Sequence, residues 1–136
     1  MANPEIVVEA RRWLRYARED LHVVERLADG NRSAPRHACW LAQQAAEKAL
    51  KAALVLEGID FPFTHDLSAL RNLLPDGWPA TTPSADLANL TVWGAESRYP
   101  GDWPEPTDTD SAHAQATARA VYDVIAREFR RRGIMS

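Results

Sequence analysis

Between Ala38 and Leu56 the positions that recur at three- and four-residue steps are mostly alanine: Ala38, Leu41, Ala42, Ala45, Ala49, Ala52, Ala53 and Leu56. A helical stripe of such small side chains lets neighbouring helices approach closely, which makes the rod from about Ser33 or Pro35 to Glu57 the central element of a helical bundle. Gly58 is placed to stop it in a left-handed conformation. The other side of the rod carries Gln44, Glu47, Lys48 and Lys51, and the spacing predicts that side to be polar and open.

The rest of the chain supplies partners for this rod. From Pro4 to Ala28, the residues Ile6, Ala10, Trp13, Ala17, Leu21, Val24 and Ala28 form one buried stripe, while Arg11, Arg15, Arg18, His22 and Arg26 fall on the opposite face. Asp29-Gly30-Asn31 provides a reversal. After the extended link IDFPF, Thr64 is the expected N-cap of a short helix carrying Leu67, Leu70, Leu73 and Leu74. Ser84 is positioned to cap a second short helix, Ala85 to about Ser97, before the turn-rich YPGDWPEPTDTD. A last helix from about Thr109 to Arg132 turns Ala114, Thr117, Ala118, Val121, Val124, Ile125 and Phe129 inward and closes at Gly133. No strand pattern or internal repeat interrupts this series. The expected architecture is all-α, three long and two short helices in one domain covering residues 1–136.

A net charge of −3 argues against a protein that coats nucleic acid by bulk electrostatics, so any anion site has to be focal. The lone Cys39 cannot form an internal disulfide, and a reducing cytoplasm is the expected compartment. No apolar run reaches membrane-spanning length, and the N-terminus lacks the apolar core of a signal peptide. Phosphate-cradling glycine loops, a Ser/His/Asp triad, paired acidic metal ligands and zinc-ligand spacing are all missing, so neither metal nor cofactor is expected.

Lys48 and Lys51 are the two lysines of a chain with fourteen arginines. One turn apart on the rod, they admit two readings. Either they are solvated, with Glu47 and Lys51 forming an exposed ion pair, or they are compact point charges that contact a phosphate or an acidic group. Trp40, Leu54 and Val55 lie on or beside the same arc and would form a partner interface there. His65 either closes the link or donates a hydrogen bond beside a phosphate. Arg98 either complements a helix C-terminus or grips phosphate with its planar fork, and Tyr99 either shapes the exit or stacks on a base.

Four separated segments carry a resemblance. Trp13 with Ala17 and Asp20-Leu21, then Gln43-Gln44-Ala45-Ala46-Glu47-Lys48-Ala49-Leu50-Lys51, then Thr64-His65-Asp66-Leu67, then Arg98-Tyr99-Pro100 together resemble the HEPN domain across essentially the whole chain, in the expected order. The resemblance implies an up-and-down helical bundle that forms a homodimer and is encoded beside a minimal nucleotidyltransferase in a two-gene, toxin–antitoxin-type system. It also implies nucleotide or RNA as a further ligand. Some branches of the family are metal-independent ribonucleases with an arginine, four to six residues, then a histidine. The two matches to that spacing, Arg15 to His22 and Arg32 to His37, lie away from the position the ribonuclease branch uses, and the Arg98 position has no histidine within reach. The reading is therefore a non-enzymatic binding module. Its alternatives are a divergent ribonuclease using His65 and Arg98, and a nucleotide-sensing domain.

Overall fold

The computed structural model describes residues 3–28, 34–79, 84–94 and 105–134. Helix α1 (Pro4–Ala28) is capped by the Asn3 side chain, which accepts from the Glu5 amide at 2.8 Å. Its buried stripe is Ala10, Leu14, Ala17, Leu21 and Val24, each fully shielded, with Trp13 half-buried against the core. Helix α2 (Pro35–Leu56) lies between α1 and α5 (Asp108–Arg131), which also touch each other. The alanine stripe behaves as its composition requires: Ala42, Ala45, Ala49, Ala52 and Ala53 are completely buried.

The short elements pack across α2. Helix α3 (Leu67–Asn72) buries Leu67 and Leu70, while Leu73 stays exposed and Leu74 half-buried. Helix α4 (Ser84–Thr91) buries Leu87 and Leu90 and passes into a 3₁₀ turn, Val92–Gly94. The helix expected to run on to Ser97 therefore changes geometry after Thr91. That side chain is occupied locally, its hydroxyl donating to the Leu87 carbonyl at 2.8 Å and accepting from the Leu67 amide at 3.1 Å. Residues 95–97, the Asp29-Gly30-Asn31 reversal and most of the long loop before α5 lie outside the described residues.

One cap corrects the sequence reading. The N-cap of α3 is Asp66 and not Thr64, because the Asp66 carboxylate accepts from the amides of Ser68 and Ala69. Thr64, two residues upstream, instead accepts from the Asp66 amide. Helix α5 begins at Asp108 behind Thr107, which forms a reciprocal capping box with Asp110. Both α2 and α5 end in the expected left-handed glycines, Gly58 at φ 70° and Gly133 at φ 78°. In each the second residue beyond the cap reaches back along the helix, Ile59 to the Leu54 carbonyl and Ile134 to that of Phe129. Among the described residues no strand forms, and no helix is long and apolar enough to cross a membrane.

The expected open side of α2 is not open. Gln43, Glu47 and Lys51 are buried, with Glu47 only 5 % and Lys51 9 % exposed. The link after Gly58 and the 3₁₀ turn fold over this arc: Phe61 and His65 reach it from the link, and Gly94 lies against the Gln43 side chain. Leu54 is likewise fully buried, so it cannot belong to the exposed partner surface the sequence suggested.

Candidate functional site

Gln43, Glu47 and Lys51 stand one turn apart on α2, so their side chains form a column. At its centre the Glu47 carboxylate is fully engaged. Its Oε2 accepts from Lys51 Nζ at 2.8 Å, and its Oε1 accepts from Gln43 Nε2 at 3.0 Å and meets His65 Nδ1 at 2.8 Å. Gln43 Nε2 also donates to the His65 carbonyl at 3.1 Å, tying the link backbone to the column. The remaining Gln43 oxygen accepts from Gln44 Nε2. Burial raises the Glu47 pKa, but the hydrogen bonds from Lys51, Gln43 and His65 together outweigh it and hold the carboxyl below its ordinary range.

An ionised carboxylate can only accept, which fixes the proton of neutral His65 on Nδ1 and leaves a lone pair on Nε2. The His65 side chain is 39 % exposed. Beside it stands Phe63, 97 % exposed, its ring centroid 5.7 Å from that of His65 in an edge-on arrangement.

Lys51 is enclosed by more than its carboxylate. Its ammonium lies 5.7 Å from the Trp13 ring centroid and 5.3 Å from that of Phe61, whose rings meet edge-on. A lysine with one carboxylate and two aromatic faces is stabilised as a buried cation. Lys48 has a different partner, Asp20 of α1 at 2.7 Å, and this partly buried bridge ties α1 to α2. Both ammonium groups are thus paired within the chain.

The other residues singled out from sequence fall apart from this column or outside the described residues. Arg98 and Tyr99 lie outside them. Trp40 is half-buried, with its indole Nε1 shielded and without a hydrogen-bond partner among the described residues. Val55 is half-buried against the core. Cys39 is fully buried, its thiol pushed up to about 12 by that burial and by Asp110. Among the described residues no cluster of three or more acidic, histidine or cysteine side chains could hold a metal ion.

Sequence reasoning did not give roles to Gln43, Asp20, Phe61 or Phe63. The repeated four-residue step Gln43, Glu47, Lys51 was the available signal for the column, and the aromatic pair in IDFPF was the signal for its cover. A second polar cluster is structural: Arg132 bonds both Glu57 and Glu128 and stacks 4.6 Å above Trp78, whose indole donates to Glu57. It clamps the turn after α3 onto the ends of α2 and α5.

Residues 10–129 match the protein-family model described as HEPN domain. Among solved structures, TT1696 from Thermus thermophilus superposes with a TM-score of 0.73 at 25 % identity, covering 88 % of this chain and 97 % of that one. ST0689, an archaeal HEPN homologue, superposes with a TM-score of 0.64 at 26 % identity, covering 88 % and 96 %. Comparison with curated proteins finds no match. With the family model spanning nearly the whole bundle and both structures sharing its fold, the chain belongs to the HEPN domain family.

Proposed function

We propose that the chain is a non-enzymatic binding module that works as a homodimer and pairs with a minimal nucleotidyltransferase of a two-gene, toxin–antitoxin-type system. The observation that carries this reading is Phe63, a large aromatic side chain 97 % exposed on a link held from beneath by the Gln43 and Glu47 contacts to His65. A phenylalanine presented on a preorganised backbone has the form of an interface anchor: burying it in a partner's pocket gains apolar contact with little ordering cost. Lys48 and Lys51 fit the same reading, since each is occupied by a carboxylate and serves the frame. Nucleotide or RNA, if held, would then be held together with the partner, with His65, Arg98 and Tyr99 as the contacting residues.

Co-purification with a co-expressed minimal nucleotidyltransferase tests the reading. A stable complex weakened about tenfold or more by Phe63→Ala is expected. Failure to associate, or association indifferent to Phe63, contradicts it.

One observation favours a second reading, ribonuclease activity. Glu47 engages Nδ1 of the partly exposed His65, so that the lone pair of the neutral ring falls on Nε2, the nitrogen a general base would use to take a proton from a ribose 2′-hydroxyl. Cleavage of a mixed RNA pool by metal-free protein, abolished in His65→Ala, would establish that reading in place of the first.

A further inference from the structure

Arginines recur along α1 at helical spacing. Arg11, Arg15 and Arg18, continued by His22, fall in one row at steps of four, three and four residues. The row covers roughly 16 Å of helix. It points away from Trp13, the residue whose ring meets Phe61, so it stands on the side of α1 opposite the link that carries Phe63 and His65.

Helix α5 widens this row into a patch. Trp13 beside Lys51 and Asp20 beside Lys48 set α1 antiparallel to α2. Asp110 acts on Cys39 near one end of α2 and α5, and Arg132 bonds Glu57 at the other, so those two helices run parallel. Helix α5 is therefore antiparallel to α1, with its register fixed by the bridge between Glu25 and Arg119. Arg130, eleven residues beyond Arg119, comes level with Leu14, eleven before Glu25, and Arg127 comes level with Ala17. Both arginines are exposed, on the same outer side of the α1 and α5 pair as the row.

The charges of this face do not cancel. Its carboxylates Glu25 and Asp123 are both engaged by Arg119, and Glu19 stands 3.7 Å from Arg15. Arg11, Arg18, Arg127 and Arg130 form no ion pair among the described residues. Six arginines, Arg11, Arg15, Arg18, Arg119, Arg127 and Arg130, against those three carboxylates leave the face at +3 in a chain whose total is −3. A focus of like charge repels itself and is relieved when an anion binds.

We infer that this face binds the phosphate backbone of double-stranded DNA without reading its sequence. The composition of the patch selects that occupant. The exposed apolar residues of α1, Val8, Tyr16 and Val23, stand about two turns apart along the outer edge of the row, so the apolar centre of a protein interface is missing. No aromatic ring stands open among the arginines, Tyr122 being only 6 % exposed, so a single strand finds nothing to stack on. Two packed helices hold their charged rows about 8–10 Å apart, with long side chains to widen the span. That separation suits the two strands flanking a B-form major groove about 12 Å wide, and not the deep, narrow major groove of double-stranded RNA. Guanidinium forks then grip phosphate oxygens on either side. The inference goes beyond the pairing proposed above and uses a different face of the molecule.

The test is fluorescence anisotropy of a labelled duplex DNA of about sixteen base pairs titrated with the full chain, binding being expected to weaken with salt along a log–log slope of about −4, for five phosphates at about 0.9 each. Arg11→Gln and Arg130→Gln, one on each helix, are each expected to lower that slope by about one and to weaken binding about fivefold or more at about 50 mM salt. Arg12→Gln removes the same charge outside the row and is expected to stay within about twofold of the parent. Circular dichroism verifies that each variant is folded. Absence of saturable binding up to about 100 μM protein at about 50 mM salt overturns the site, and so does an equal loss in all three variants, which would mark bulk charge. Single-stranded or double-stranded RNA of the same length bound as tightly as the duplex DNA overturns the occupant. DNA binding lost in His65→Ala but kept in Arg11→Gln would move the nucleic acid to the Glu47 column and overturn this face. Pairing with a nucleotidyltransferase is read separately by co-purification, so its failure and the failure of this face are distinguishable.

Discussion

His65 Nδ1 and Glu47 Oε1 lie 2.8 Å apart, joining an imidazole on the link to a carboxylate buried in the middle of α2. Through this contact the interior of the bundle determines which nitrogen of a surface histidine carries a proton. The same carboxylate neutralises Lys51, so one residue serves both the core and the surface.

Removal of Glu47 therefore leaves a buried ammonium with only aromatic faces for company. Glu47→Ala is expected to destabilise the fold by about 3 kcal/mol in urea or guanidinium unfolding. The double variant Glu47→Ala with Lys51→Met removes the stranded charge and is expected to be more stable than Glu47→Ala alone, a non-additivity that a solvated Lys51 would not produce.

Lys48, three residues before Lys51, is expected to behave differently. Its bridge to Asp20 is more exposed than the Lys51–Glu47 pair, so Lys48→Ala should cost less than Lys51→Ala, about 1 kcal/mol, with the loss shrinking at high salt. Equal costs for Lys48→Ala and Lys51→Ala would contradict the difference in burial between them.

How far the sequence led is clear from these two lysines. Alanine spacing identified α2 as the centre of the bundle, and the apolar periodicity of α1 and α5 gave their inward faces, because side-chain period and burial are directly coupled in helices. The same logic failed on the polar arc of α2. Periodicity marks Glu47 and Lys51 as outward, yet the Phe61 to His65 segment returns over them, and a non-local cover of this kind leaves no periodic trace. Leu54 was misplaced for the same reason, and the α3 cap by two residues because Thr64 and Asp66 are both competent caps.

Acid sensitivity follows from two depressed carboxyls. At Glu128 the hydrogen bond from Arg131 pulls the pKa down, burial pushes it up, and Arg132 pulls it down again, giving about 2 against an ordinary 4.5. Glu47 is shifted in the same direction. A carboxyl depressed on folding contributes stability above its unfolded value and loses it as pH falls through its folded value. Unfolding free energy should thus decline from about pH 4.5 towards 2, and the decline should be shallower in Glu128→Gln. An unchanged slope in that variant would contradict the assignment.

Gly94 offers a steric check on the column. A Cβ there would come 2.9 Å from Gln43 Cδ and 3.0 Å from its Nε2, atoms fixed by bonds to Glu47 and the link. Gly94→Ala, which in open space would tend to stabilise, is expected to destabilise by about 1–3 kcal/mol. It should also shift the His65 resonances, a change readable by NMR.

The most direct test of the central claim, that buried Glu47 sets the state and orientation of His65, is the tautomer of that imidazole in long-range ¹H–¹⁵N correlation spectra at a pH where the ring is neutral. The account gives a protonated Nδ1 and an unprotonated Nε2 in the parent protein, with that preference lost in Glu47→Ala. A proton resident on Nε2 in the parent protein, or a pattern unchanged by Glu47→Ala, would contradict it.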